Sequence, residues 1–510
     1  MKQDLGFIER MFQLPLFMLV FGMASVSMLI PAIYAGVVRE LETGRAFLYS
    51  GMLGIIVFVL IAIAHNGRAP GHGALGPLMS LFSTFVFLPL ILAVPFYEGL
   101  QTTSFFNAYI EMVSSITTTG ATLFDDPSRL DRPLHLWRAQ VGWMGGLIMW
   151  IAASAILAPL NLGGFEVTAR AEPGRRALGQ GQVGQTEGRL RLMKIIGTLF
   201  PVYFGLTWLL WSLLWVSGDE SLVALCHAMS IMATSGISPV GGLTGESGVS
   251  GEFVMMLFML FALSRLTFST DTVTSESGGI LHDPEFRIGL ALVVGVPAVL
   301  FMRHWLAAFD VDAQTTLSDA AIAYWGAMFT VMSFLTTTGF TSVSWGEAQA
   351  WSGLATPGLI LMGLCLTGGG VATTAGGVKL LRVFALYRNG KREMERLVHP
   401  SSVSGADPMA KRLQKNGAFI AWIFFMLFAL SLALVTILLA AAGVGFEDAI
   451  VIAISSLSTT GPLLEVGSEN PIRLIELSGF AKVIFGAAMI IGRLETLAII
   501  ALLTSDLWRG

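Results

Sequence analysis

Thr117-Thr118-Thr119-Gly120 closes an apolar run too short to cross a bilayer, and the chain repeats the phrase three more times: Ala233-Thr234-Ser235-Gly236, Thr336-Thr337-Thr338-Gly339 and Ser458-Thr459-Thr460-Gly461. The four glycines stand 116, 103 and 122 residues apart. A single Ser/Thr-Gly tetrapeptide is ordinary loop punctuation. Four of them, each after the same kind of short hydrophobic stretch, point to four copies of one unit around a common axis with the glycine turns meeting at its centre, the layout of an ion pore. The residue types suit that role. Backbone carbonyls and threonine hydroxyls can replace the hydration shell of a cation without fixed charge, and glycine lets backbones converge with no side chain in the way. The candidate ion-binding residues are therefore Thr118, Thr119 and Gly120; Thr234, Ser235 and Gly236; Thr337, Thr338 and Gly339; and Thr459, Thr460 and Gly461.

Composition agrees with a membrane setting. Of 510 residues, 54% are hydrophobic and 13% charged, and the mean hydropathy is +0.73; a soluble protein of this size carries about 25% charge. A net charge of -4 gives no sign of nucleic-acid binding. The two cysteines, Cys226 and Cys365, imply neither a disulfide framework nor a metal spacing, and the seven histidines form no HExxH-like cluster. Nothing in the sequence assembles a nucleophile, base or metal ligand set, so an enzyme is not expected.

The apolar run 11–38 is longer than a signal-peptide core and reads as a retained first helix. A charged loop over 39–45 joins it to a second helix at 47–64, making an accessory two-helix hairpin (1–70). Four repeats follow, at 71–163, 190–275, 284–390 and 412–510, each a spanning helix, a short helix of roughly 12 to 17 residues, the glycine turn and a second spanning helix. The first uses 75–97, 104–116 and 134–160; the second 194–216, 221–232 and 253–268; the third 288–301, 318–335 and 354–386; the fourth 417–442, 446–457 and 478–503. The short helices must be re-entrant, which is tolerated only where they are buried in protein or line a wet cavity. The expected fold is thus an all-α polytopic membrane protein with four helix–pore-helix–helix repeats about a pseudo-fourfold pore.

Basic residues set the orientation. Arg170, Arg175, Arg176, Arg189, Arg191 and Lys194 crowd one connection, and Arg382, Arg388, Lys391, Arg392, Arg396, Lys411 and Arg412 another, whereas 217–252 carries no Lys or Arg. Both termini are expected in the cytoplasm and all four turns outside, the parallel arrangement arguing against inverted repeats. Acids near the outer mouth (Asp125, Asp126, Asp219, Glu220, Glu246, Glu347) either concentrate cations or serve as ordinary polar loop residues.

Two features lie deeper. Gly368, Gly369, Gly370, Gly376 and Gly377 interrupt the second helix of the third repeat; at about 1 kcal/mol per glycine relative to alanine, that helix should unwind inside the membrane, as a gate or as a close packing site for small residues. It is no phosphate loop, since Gly377 precedes Val378-Lys379-Leu380. Arg493, with Glu495, falls within the last spanning helix, where a charge needs a partner or a watery path. Arg493 either pairs with an acid such as Glu111 or projects into the pore as a barrier.

Several motifs carry a family resemblance: SSITTTG at 114–120, QVGWMGGL at 140–147, ALCHAMSIMATSG at 224–236, HDPEFR at 282–287, the glycine-rich 367–383, the fourth turn with Pro462, and GRLE at 492–495. With them the chain resembles the TrkH branch of the Trk/Ktr/HKT superfamily of potassium transporters over nearly its whole length, the leading hairpin fitting that branch best. The resemblance implies K+ uptake across a bacterial inner membrane, with K+ bound at the filter only, no cofactor in this chain, a homodimer, and a cytosolic nucleotide-binding regulatory ring. It also implies that the glycine-rich segment is an intramembrane gate narrowed by Arg493. Ser235 and Ile237 depart from the glycine and aromatic common in the family, and only the third turn has an aromatic successor, Phe340. The alternatives are a symporter coupling K+ to H+ or Na+, and a Na+-permeable relative.

Overall fold

In the computed structural model, the described residues are 14–65, 75–158, 185–243, 246–264, 283–307, 317–353, 356–398 and 417–495. Seven helical stretches are long and apolar enough to cross a membrane, from Leu16–Val38 to Ala418–Ala441. Among the described residues there is no β-strand. The elements in chain order are α1 (Leu16–Ser27), α2 (Leu29–Val38), α3 (Leu41–His65), α4 (Leu75–Leu100), α5 (Phe105–Ile116), α6 (Arg132–Ala152), α7 (Gln185–Val216), α8 (Ser221–Ala233) and α9 (Gly248–Met259). They continue with α10 (Pro284–Ala307), α11 (Leu317–Leu335), α12 (Trp345–Ser352), α13 (Gly358–Thr367), α14 (Leu380–Val398), α15 (Ala418–Ala441), α16 (Phe446–Leu457), α17 (Leu463–Val466) and α18 (Gly479–Leu494).

The helix, short helix, turn, helix order recurs four times: α4–α5–α6, α7–α8–α9, α10–α11–α13 and α15–α16–α18. Three of the short helices end on the expected residues and α8 runs one residue further, to Ala233; α11, expected at 318–335, spans Leu317–Leu335 and is longer than the other three. The last helix of the second repeat, expected at 253–268, begins earlier and runs Gly248–Met259, and two further boundaries differ. The charged loop shrinks to Arg39 and Glu40, because Arg39 takes a left-handed φ of 67° that reverses the chain at once and leaves Glu42 and Arg45 inside α3. The 354–386 helix is not continuous: α13 stops at Thr367 and α14 starts at Leu380. The basic residues at 170, 175, 176, 411 and 412, and the ends of the second and fourth repeats beyond 264 and 495, lie outside the described residues.

The hairpin is anchored by its inner side and open to lipid on the other. Gln140 Nε2 donates to Ser27 O at 2.9 Å, Thr43 Oγ1 donates to Asp131 Oδ2 at 2.8 Å, and Phe47 meets Trp137 edge-on at 5.5 Å. Only 17% of the apolar window of α3 is buried, the signature of a surface solvated by lipid tails. By contrast 83% of the α6 window is buried, so α6 is an inner wall against which the short helices are set.

Candidate functional site

All four short helices terminate in the same way. A threonine two residues before the glycine adopts left-handed backbone: Thr118 (φ 56°), Thr234 (50°), Thr337 (58°) and Thr459 (54°). Their N–H groups donate three residues back, to Ser115, Ile231, Phe334 and Ser456. The next N–H, of Thr119, Ser235, Thr338 or Thr460, reaches five residues back to Ser114, Ser230, Ser333 or Ser455, at 2.9, 2.9, 2.8 and 2.9 Å. This is the Schellman helix ending, with threonine where glycine is usual. Left-handed backbone costs a non-glycine residue about 1–3 kcal/mol, and it is held here four times in equivalent places. The hydroxyl that glycine lacks is what each position gains.

The turns close into a ring in chain order. A Cβ on Gly120 would overlap Ser235 O, one on Gly236 would overlap Thr338 O, one on Gly339 would lie 2.9 Å from Pro462 Cγ, and one on Gly461 would meet Ala121. Gly461 N–H donates to Thr119 O, which seals the fourth turn to the first. Turns 1 and 3, and turns 2 and 4, are therefore opposite one another. Every residue of the four tetrapeptides except Gly120 is buried, and the hydroxyls of Thr118 and Thr459 are buried with no hydrogen-bond partner. Unpaired buried hydroxyls are costly, and hydroxyl oxygens are of the kind that can replace waters on a cation.

Residues 368–379 pass directly beneath this ring. Gly376 N–H donates to Thr337 Oγ1 at 2.7 Å, Thr374 Oγ1 to Met232 O at 3.4 Å, Gly370 N–H to Ala262 O at 2.9 Å and Val371 N–H to Glu285 Oε1 at 3.0 Å. Arg493 Nη1 donates to Thr374 O at 2.6 Å, and its Nε and Nη2 have no hydrogen-bond partner. A small cavity under the ring is lined by Thr373, Gly376, Lys379, Arg493 and Glu495 among others. Gly368, Gly369, Gly370, Gly376 and Gly377 thus form an unwound segment clamped from several repeats, so the expectation of an interrupted helix holds. A Cβ on Gly376 would overlap Ser458 O, so Gly376→Ala cannot seat against the ring. Overpacking of this kind costs about 1–3 kcal/mol, and basal cation flux in proteoliposomes should rise about tenfold or more; unchanged basal flux would contradict the seating.

The expected pairing of Arg493 with Glu111 does not occur. Glu111 is 2.7 Å from Arg138 Nε and accepts Leu123 N–H at 2.9 Å, while Arg493 instead reaches Thr374 O. Glu495 is taken by Arg382 at 2.7 Å, whose guanidinium lies over the Phe424 ring. Removing one partner of a buried ion pair costs about 3–5 kcal/mol, so Arg138→Ala should unfold markedly earlier in a thermal-denaturation measurement.

The six acids expected at the outer mouth do not form one cluster. Asp126 accepts from Ser128, Asp219 from Ser247 N–H, Glu220 lies 3.4 Å from Arg132 and Asp125 3.8 Å from Arg473. Burial pushes the Asp219 carboxyl above the usual carboxylate range. Four of the six acids thus have local structural partners, which favours the polar-loop reading for those four.

A family model described as a cation transport protein, TrkH, matches residues 78–507. The chain belongs to the TrkH family. Its two-helix hairpin precedes the matched region, which takes in nearly all of the four repeats. The chain is 28% identical over 496 residues to the Trk system potassium uptake protein TrkH of Salmonella typhimurium, covering 95% of this chain and 96% of that one. It is 27% identical over 435 residues to TrkI of Halomonas elongata (84% and 81% covered) and 26% over 422 to TrkG of Escherichia coli (80% of each). The crystal structure of the potassium transporter TrkH from Vibrio parahaemolyticus superposes with a TM-score of 0.77 at 24% identity, over 97% of this chain and 98% of that one. The fold is that of a TrkH-type membrane protein of repeated helical units.

Sequence reasoning passed over one shared feature of the site. A serine stands six residues before every ring glycine (Ser114, Ser230, Ser333, Ser455) and its carbonyl accepts the closing bond of the turn. Ser114 Oγ donates to Ala121 O and Ser455 Oγ to Thr460 O. Comparing the four phrases a few residues further upstream would have revealed it.

Proposed function

We propose that this chain is the membrane subunit of a Trk-type potassium uptake system, K+ shedding its water in the ring of four turns and being held back below by residues 368–379 until they move. The observation that carries the reading is the fourfold recurrence of a left-handed threonine, with two buried unpartnered hydroxyls, in turns that close on one another. Likeness to the potassium uptake proteins of three bacteria supports the choice of ion. Arg493, clamped to Thr374 O under the ring, serves in this reading as both latch and positive barrier. The assembly is a homodimer in the bacterial inner membrane, with both termini in the cytoplasm and repeats bounded at 71–163, 190–275, 284–390 and 412–510. A cytosolic nucleotide-binding ring acts on it, and the chain itself performs no chemistry. Expression in a bacterium stripped of its own potassium uptake systems tests this: growth at low external K+ is expected, and failure of correctly inserted protein to restore growth, with its regulatory subunit supplied, overturns it.

A further inference from the structure

We propose that Glu252, with Glu111 as its counterpart across the ring, is a positioning residue that sets ion selectivity by fixing the chain just beyond the third and first turns. The proposal rests on reading the four turns as the potassium path. In the first repeat, Leu123 lies three residues after Gly120 and gives its N–H to Glu111 Oε2 at 2.9 Å. The equivalent residue of the third repeat is Ser342. Its N–H goes to Thr330 Oγ1 at 3.2 Å and its hydroxyl to the two Glu252 oxygens at 2.8 and 2.9 Å. Val343 N–H and Trp325 Nε1 add bonds to the same carboxylate at 2.8 Å each. Glu252 is 5% exposed and extends from α9 of the second repeat, so it also ties two repeats together.

Turns 2 and 4 are braced without carboxylates. Pro239 stands where Leu123 stands in the first repeat and has no N–H to offer; His227 Nε2 instead lies 3.1 Å from Ser238 Oγ. Leu464 N–H turns back to Gly461 O at 3.0 Å. The pseudo-fourfold ring is therefore twofold in its support, with acids behind opposite turns.

The two acids differ electrically. Glu111 faces Arg138, whereas among the described residues no Lys, Arg or His pairs with Glu252. Ser342 Oγ, Val343 N and Trp325 Nε1 all donate to Glu252, whose carboxylate oxygens act as acceptors. A buried negative charge behind the third turn strengthens the field where the cation loses water, and its bonds hold that turn at one width. Loss of the charge lets the turn relax toward whichever ion enters.

The test is K+ and Na+ uptake per folded protein in proteoliposomes, with thermal unfolding followed in parallel, for the unmodified chain, Glu252→Gln and Ser342→Ala. Glu252→Gln keeps the shape, removes the charge and turns an NH2 group toward donors. Its K+/Na+ uptake ratio should fall about tenfold, with a raised apparent KM for K+, as expected for loss of a charge-assisted brace. Ser342→Ala should shift the ratio the same way by less. A stability loss with ratio and KM unchanged overturns the proposal, and should Glu252→Gln fail to fold, Ser342→Ala decides by the same criterion. No K+ preference in the unmodified protein would sink the filter reading itself; a preference that the folded variants keep would sink only this inference.

Discussion

Replacing Gly120 by serine lowers K+ uptake by about a hundredfold or more, since the cost has two parts that together exceed the ~2.7 kcal/mol such a factor represents. The φ of Gly120 is +73°, a conformation that strains any L side chain. The added Cβ would also overlap the carbonyl oxygen of Ser235, which is backbone of the neighbouring turn and has no rotamer to retreat into. The first and second turns must separate, and the Thr119 O to Gly461 N–H seal with them. The close approach of the two turns makes loss of flux, not a change of ion preference, the expected outcome. Flux measured on correctly folded variant checks it, and K+ uptake within a few-fold of normal would contradict it.

Arg493→Ala has the opposite sign. A guanidinium near the path of a cation adds ~332/(ε·r) kcal/mol, nearly 3 kcal/mol at an effective ε of about 20 and roughly 6 Å, or about a hundredfold in rate. The latch on Thr374 O is lost as well. Because Glu111 is held by Arg138 and Glu495 by Arg382, alanine at 493 strands neither of these acids, and the fold should survive. Basal K+ flux per folded protein should rise strongly, while Arg493→Lys retains most of the restriction. Flux that stays level or falls, in monodisperse protein of normal thermal stability, would remove Arg493 from the barrier.

The four-unit architecture is legible because a Ser/Thr-Gly tetrapeptide after a short apolar run recurs at similar spacing, and one repeated unit explains it where four coincidences would not. The unwinding at 368–379 is legible because five glycines in ten residues cannot sustain a helix against water or lipid. The left-handed threonines are not, since local propensity would place glycine at such a helix end; only the ring that surrounds them makes the strain worthwhile. The partner of Glu111 is hidden for another reason. Arg138 and Arg493 are both buried arginines on second spanning helices, and choosing between them requires the rotation and distance of α6 and α18 about the first short helix. The brace from Glu252 crosses from one repeat to the next over 90 residues of chain, and nothing in a linear pattern marks it.

In the proposed function, the ring of four turns selects potassium. Purified protein reconstituted in liposomes with an outward K+ gradient, challenged outside with tracer rubidium against competing K+ or Na+, measures it most directly. Rubidium uptake should be suppressed by external K+ and left nearly untouched by equal Na+; Na+ competing as well as K+ would contradict selection by the ring.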